Sequence, residues 1–159
     1  MVNLEEKLSS PVTIGSQTFQ NPIWLASGTA AFGEELMALV PMEKLGGIVL
    51  KGTSIEPREG NPPPRLVETP AGLLNAIGLQ NPGIDVVKNK KIPLLEPTGV
   101  PIIINVAGKS LEEYIEIVRQ FSEIEAISAY ELNISCPNVK MGLDNGTDPT
   151  WIERLVSSV

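Results

Sequence analysis

The 159-residue sequence predicts a parallel β/α architecture, and three observations carry that prediction. Short, almost wholly apolar runs recur along the chain, PIWLA (22–26), GGIVLK (46–51) and VPIIINVAG (100–108), and an alternating fourth strand, AYELNI (129–134), follows them. Unalternating runs of this length are what strands buried on both faces require. Amphipathic, helix-like segments lie between them, so strands and helices alternate as in repeated β/α units.

The elements follow in chain order. VTIGSQTF (Val12 to Phe19) alternates around Gly15-Ser16 and predicts a small hairpin with a two-residue turn. PIWLA is the first buried strand and runs into SGTAAFG, a loop of small residues. EELMALV predicts a helix, with a continuation into MEKL, and GGIVLK is the second strand. From Gly52 to Pro82 the density of Pro, Gly and Asn rules out one helix or one long strand, although RLVE and GLLNAIGL look ordered. So long an irregular stretch is more often a binding loop than a linker. IDVVKNKKIPLL reads as a helix weakened and ended near Pro93, and VPIIINVAG is the third strand. Ser110 and Glu113 fit a capping box, and Leu111, Tyr114, Ile115, Val118 and Phe121 form one apolar stripe. AYELNI is the fourth strand. Asp148-Pro149 then supplies an N-cap and an N1 proline for the helix TWIERLVSSV.

Two parallel forms compete, a doubly wound open sheet and a closed barrel. No strand is followed by G-x-G-x-x-G or G-x-x-x-x-G-K-[ST], so the usual nucleotide fingerprints of the open form are absent. A hairpin plugging one end fits the closed form. A full barrel needs roughly 250 residues. Residues 1–159 are therefore expected to be the N-terminal part of a single domain: the first four or so units of a (β/α)8 TIM barrel, preceded by a short β-hairpin.

Composition excludes several function classes. With 12 basic and 19 acidic residues the net charge is −7, which argues against a nucleic-acid or anionic-membrane surface. One cysteine and no histidine exclude an internal disulfide and argue against a zinc site. MVNLEEKLSS does not read as a signal peptide, and the longest apolar stretch, near GVPIIINVAG, is too short to span a bilayer. The expectation is a globular cytoplasmic protein without metal.

Function becomes visible when the strand ends are aligned. Ser27 follows the first strand, Lys51 ends the second, Asn105 the third and Asn133 the fourth, with Cys136 three residues beyond. In parallel β/α folds the carboxyl ends of the strands build the site. Each residue also has a plainer reading. Lys51 fits a solvated strand end, Asn105 and Asn133 fit turns, and Cys136 fits an inert small hydrophobe. Together they form a ring at one mouth, suited to a small molecule rich in amide and carbonyl groups. Without histidine no Cys–His pair can form, so proton abstraction suits Cys136 better than nucleophilic attack.

Four stretches, NPIWLASGT, KGTSIEPREGNPPPRLVETPAGLLNAIGLQNPG, INVAGKSLEEY and ELNISCPNVK, together closely resemble the dihydroorotate dehydrogenase family. GNPPPR and NAIGLQNPG resemble the type 1B, NAD-linked catalytic branch more than the fumarate-linked type 1A. The resemblance implies an FMN-containing barrel that oxidises dihydroorotate to orotate in pyrimidine biosynthesis. It implies that Cys136 is the base taking the C5 proton and that Ser27, Lys51, Gly52, Asn105 and Asn133 bind the flavin. It further implies that Lys51, Asn75, Ala76, Ile77, Gly78, Leu79, Asn133 and Asn138 hold the substrate. A homodimer, and a partner subunit carrying FAD and an iron–sulfur cluster that passes electrons to NAD+, are implied as well. The Gly-, Asn- and Asp-rich loop from Cys136 to Gly146 is expected to close over the substrate. Two alternatives stay open: a related pyrimidine-reducing dehydrogenase sharing the Cys-Pro loop, and a non-catalytic half-barrel. Family members continue through four further strands that carry the flavin phosphate site, so these residues alone are expected to hold FMN weakly.

Overall fold

The computed structural model describes residues 10–134 and 146–159. Strands β1 (Val12–Ile14) and β2 (Gln17–Phe19) pair antiparallel with Ile14 opposite Gln17, leaving Gly15 and Ser16 as the turn. Gly15 has φ 60°, the left-handed conformation that a tight two-residue hairpin turn favours. There follow β3 (Trp24–Leu25), a single helical turn α1 (Ser27–Ala30), a 3-10 turn at Met42–Lys44 and β4 (Gly47–Val49). A second hairpin pairs β5 (Leu66–Thr69) with β6 (Gly72–Asn75). The next helical segment comprises α2 (Ile84–Val86), a π turn (Val87–Lys91), α3 (Ile92–Leu95) and a 3-10 turn (Glu96–Thr98). The chain continues with β7 (Ile102–Val106), α4 (Leu111–Phe121), β8 (Ile127–Leu132) and α5 (Pro149–Ser158).

Strands β3, β4, β7 and β8 form one four-stranded sheet in that order, every pair parallel. This is the partial α/β barrel that the apolar runs predict. Every residue of β7 is buried, as a central parallel strand requires. Ile48, Leu50, Ile102, Ile104 and Val106 face the helices, packing into one core with Ile84, Val87, Ile92, Leu95, Ile117, Phe121 and Leu155. Each fully buried aliphatic side chain of this kind stabilises the fold by about 1.5–3 kcal/mol. Val49 and Ile103 alternate with that set and face the other way, where Phe19 from the hairpin covers them with Trp24 and Ala129. The Phe19 and Trp24 rings meet at 4.5 Å between centroids.

The best-defined helix is α4. Ser110 accepts a hydrogen bond from the Glu113 N–H at 3.4 Å, while the Glu113 carboxylate accepts from the Lys109 N–H at 2.8 Å. The capping box is thus shifted by one residue on its return arm. The buried stripe is Tyr114, Ile117, Val118 and Phe121, so Ile117 takes the place expected for Ile115. Asp148 caps α5 through the Thr150 N–H at 2.9 Å, as its sequence predicts.

Three expectations need correction. EELMALV is not a helix: residues 33–40 form successive turns, Leu36 bonding to Gly33, and Leu39 and Val40 both to Leu36. Only Leu36 and Val40 of the segment pack against the core while Leu39 is 78 % exposed, and so short a helix does not persist on propensity alone. The first strand is not buried on both faces, because β3 lies at the sheet edge and Ile23 beside it is 56 % exposed. The helical segment is not ended near Pro93. It absorbs the proline through the π turn, in which the Ile92 N–H reaches the Val87 carbonyl, and it runs on to Thr98. Among the described residues no helix is long and apolar enough to cross a membrane.

Candidate active site

The sheet face turned away from the helices changes character along its strands. Its N-terminal part is the apolar patch of Val49, Ile103 and Ala129 under Phe19. Two residues further along, on the same face by the strand period, stand Lys51, Asn105 and Glu131, and two beyond Glu131 comes Asn133. Sheet pairing continues past β4, since the Thr53 N–H bonds to the Asn105 carbonyl at 2.8 Å and the Ala107 N–H to the Thr53 carbonyl at 3.0 Å.

These polar ends enclose a pocket of about 180 Å³ lined by Ser27, Gly28, Lys51, Gly52, Ile77, Gly78, Leu79, Asn105 and Asn133. Elements far apart in sequence are held there by specific bonds. The Lys51 N–H donates to the Ala31 carbonyl at 2.8 Å, setting the loop after β3 beside the end of β4. Asn133 is fixed at both backbone groups: its N–H reaches the Val106 carbonyl at 2.9 Å, and its carbonyl accepts from the Tyr114 hydroxyl at 2.6 Å. Between the side chains, Asn133 Nδ2 donates to Asn105 Oδ1 at 3.2 Å, and Asn105 Nδ2 donates to Glu131 Oε1. Asn105 is only 4 % exposed, so this pairing matters: a buried amide left unpaired costs about 1–3 kcal/mol. Among the described residues the Lys51 ammonium has no ion-pair partner.

The wall formed by Ile77–Leu79 comes from the irregular stretch. Buried Asn81 accepts from the N–H groups of Ser54 at 3.2 Å and Gly83 at 3.0 Å, and donates to the Leu79 carbonyl at 2.8 Å. Arg58 and Asn81 exchange both backbone bonds, at 2.8 and 3.0 Å. The Arg65 guanidinium ties the loop to itself, donating to the carbonyls of Glu59 and Asn61 and to Gln80 Oε1. Gly78 at φ 78° and Leu79 at φ 53° are consecutive left-handed residues. Leucine adopts that conformation at a cost of about 1–3 kcal/mol, which the Asn81 anchor offsets. A Cβ on Gly78 would meet the Asn61 nitrogen at 2.6 Å, so glycine is required there.

Eight residues singled out from the sequence thus share one pocket: Ser27, Lys51, Gly52, Ile77, Gly78, Leu79, Asn105 and Asn133. Asn75 and Ala76 do not line it. Asn75 ends β6 opposite Leu66, and the Ala76 N–H bonds to the Arg65 carbonyl at 2.9 Å, leaving both exposed. Cys136, Asn138 and the loop expected to close lie outside the described residues, save Gly146 at its end. Sequence reasoning missed Gly28 in the lining, and Glu131, Asn81 and Tyr114 behind it. Glu131 sits in the apolar-alternating run AYELNI and reads as an ordinary solvated strand residue. A larger neighbouring cavity of about 600 Å³ shares Lys51 but is otherwise built from loops and the helical segment, including Arg58, Gln80 and Lys91. Of these two, the smaller collects the strand ends.

The family described as dihydroorotate dehydrogenase matches residues 9–159. The chain is 46% identical over 155 residues to the "dihydroorotate dehydrogenase B (NAD(+)), catalytic subunit" of Geobacter sulfurreducens, covering 97% of this chain and 51% of that protein. It is 50% identical over 153 residues to the protein of the same name from Trichlorobacter lovleyi, covering 96% and 50% respectively. The Bacillus pumilus counterpart is 48% identical over 149 residues, covering 93% and 48%. The chain therefore spans about half the length of these relatives. The crystal structure of DHODH from Eimeria tenella in complex with ferulenol superposes with a TM-score of 0.73 at 21% identity, covering 98% of this chain and 44% of that one. That likeness is one of fold.

Proposed function

This chain belongs to the dihydroorotate dehydrogenase family, and from that membership we propose that its strand-end pocket is part of an FMN site at which dihydroorotate is oxidised to orotate. The observation that carries the proposal is the pocket itself, where Lys51, Asn105 and Asn133 from successive strands meet Ile77–Leu79 from the irregular loop. The donor set fits a flat ring of alternating carbonyl and N–H groups, because amides offer both polarities and the Lys51 ammonium offers positive charge. Gly52 keeps that ring's approach open, since a Cβ there would lie 2.9 Å from Asn105 Oδ1.

The reaction removes a proton from C5 and a hydride from C6, forming the C5–C6 double bond of orotate. FMN, when bound, supplies the hydride acceptor. Lys51 would touch both the flavin and the substrate, and Ser27, Gly52 and Asn105 would line the flavin. Asn133 would contact both ligands, and Ile77–Leu79 with Asn138 would hold the orotate. Cys136 takes the C5 proton as thiolate, and amide donors stabilise the enolate that develops at the adjacent carbonyl. The relatives' name, catalytic subunit, implies a separate partner subunit for them. For this protein we place FAD and an iron–sulfur cluster on such a partner, with NAD+ as final acceptor, a catalytic homodimer and a cytoplasmic location.

Anaerobic bleaching of the flavin tests the reading. Dihydroorotate should bleach the FMN-loaded enzyme rapidly, dihydrouracil should not, and Cys136→Ser should slow bleaching by at least tenfold at neutral pH. Equal bleaching by dihydrouracil would transfer the site to the pyrimidine-reducing enzymes. No bleaching by either substrate would remove the dehydrogenase reading.

A further inference from the structure

At the end of the sheet, two amides and a carboxylate are joined in a hydrogen-bonded row. Asn105 and Glu131 are register partners on the parallel strands β7 and β8, and Asn133 follows Glu131 by two residues on the same face. The polarity of the row is set at one end. A carboxylate accepts hydrogen bonds and does not donate them, whereas an amide presents either an oxygen or an N–H according to which way it is turned. Glu131 Oε1 therefore draws Asn105 Nδ2 toward itself, which turns Asn105 Oδ1 toward Asn133. Asn133 must answer with Nδ2, at 3.2 Å. The backbone of Asn133 is held at both its N–H and its carbonyl, and the row fixes which end of its amide faces Asn105. Its Oδ1 is left without a partner among the described residues, on a side chain that lines the pocket.

We propose that Glu131, although it does not line the pocket, is a positioning residue that fixes the polarity of the Asn105–Asn133 pair. Asn133 thereby offers an acceptor to a ring N–H of the bound ligand. The inference rests on the reading of this pocket as the site of a flavin and dihydroorotate, both of which carry imide N–H groups. The carboxylate selects for a ligand with a donor at that point. A ring that presents only an oxygen there is rejected, because two acceptors would face each other.

The test is orotate affinity of the FMN-loaded enzyme, read from the flavin spectrum, in the parent, Glu131→Gln and Glu131→Lys. Glutamine satisfies either orientation of Asn105, so about half the molecules are turned the wrong way and affinity falls about twofold. Lysine only donates, which inverts the row and places an N–H against the ligand's N–H, so affinity falls tenfold or more. Charge alone predicts the opposite sign, since replacing a carboxylate by an ammonium should draw the anionic orotate in. Glu131 is exposed, so the lysine is compatible with the fold, and a melting temperature verifies this. A lysine variant that binds as well as the parent overturns the inference, as does equal weakening by lysine and glutamine. Should the lysine variant fail to fold, parent-like affinity in Glu131→Gln overturns it instead. A parent enzyme that binds no orotate removes the functional reading and this inference together, whereas a binding parent with an unaffected lysine variant removes this inference alone.

Discussion

The hydroxyl of Tyr114 donates to the main-chain carbonyl of Asn133 at 2.6 Å, so helix α4 grips the end of β8 at the residue that also lines the pocket. The ring itself is buried and meets Trp151 edge-on at 5.9 Å. Tyr114→Phe keeps that packing and removes the bond. Stability should fall by about 1 kcal/mol and orotate affinity by a few fold, as urea unfolding and flavin titration would read. Unchanged affinity would mean that α4 does not position Asn133.

Asn81 is the anchor of the irregular loop. In Asn81→Leu the N–H groups of Ser54 and Gly83 lose their shared acceptor, and the Leu79 carbonyl loses its donor. The expected cost is about 2–5 kcal/mol in urea unfolding, with ligand affinity falling further than stability because Leu79 is freed from its left-handed conformation. A loss below 1 kcal/mol would show that the loop is held elsewhere.

Gly52→Ala tests the close approach at the pocket floor. The new methyl would stand 2.9 Å from Asn105 Oδ1 and 3.5 Å from Leu79 Cδ2. Crowding of this kind costs about 1–3 kcal/mol, and displacement of Asn105 should weaken flavin retention, measured by dialysis. Retention equal to the parent's would mean the floor yields without consequence for the ligand.

Glu116 gives a prediction with a definite pH window. The hydrogen bond from Arg119, then that from Gln120, holds its carboxyl at about 2, below its ordinary value of 4.5. A carboxylate whose pKa is lower in the folded state adds stability above its unfolded value and loses it as pH falls through the folded one. The stability difference between the parent and Glu116→Gln should therefore be present above pH 4.5 and vanish as pH approaches about 2. The pair is solvent-exposed, so the difference should be small and should shrink with added salt. A difference that grows on acidification contradicts the assignment.

Phe121, fully buried, closes α4 against the sheet. Phe121→Ala should cost about 3–5 kcal/mol in urea unfolding. A cost near 1 kcal/mol would displace the core from where the structure puts it.

The sheet was legible because a buried parallel strand leaves a compositional mark. VPIIINVAG has nothing polar until Asn105, and Ser110 and Asp148 announce their helices through a bond that any sequence with that spacing can make. The gathering of Lys51, Asn105 and Asn133 followed from the same logic, since a polar residue ending an apolar strand has only the mouth of the sheet to face. What escaped depends on contacts between distant residues. The β5–β6 hairpin carries its apolar residues Leu66, Val67, Leu73 and Leu74 exposed, and flanking prolines and glycines mask its pairing. The π turn is written in the five-residue step between buried Val87 and buried Ile92, a spacing that a search for ordinary helical periodicity passes over. Glu131 becomes meaningful only once Asn105 is known to be its neighbour across the ladder.

The sheet order β3-β4-β7-β8 repeats the order of the strands in the chain. No strand has to be inserted between two that have already paired, and none has to wait for a later one to reach its neighbour. A ribosome delivering the chain from its N-terminus hands over each strand when its docking edge has just been made, at roughly 5–20 residues per second. The sheet then grows at one side only, each new strand docking on the one before it. Lys51 emerges before Asn105, and Asn105 before Asn133, so the pocket is assembled from one side to the other as the polypeptide is synthesised.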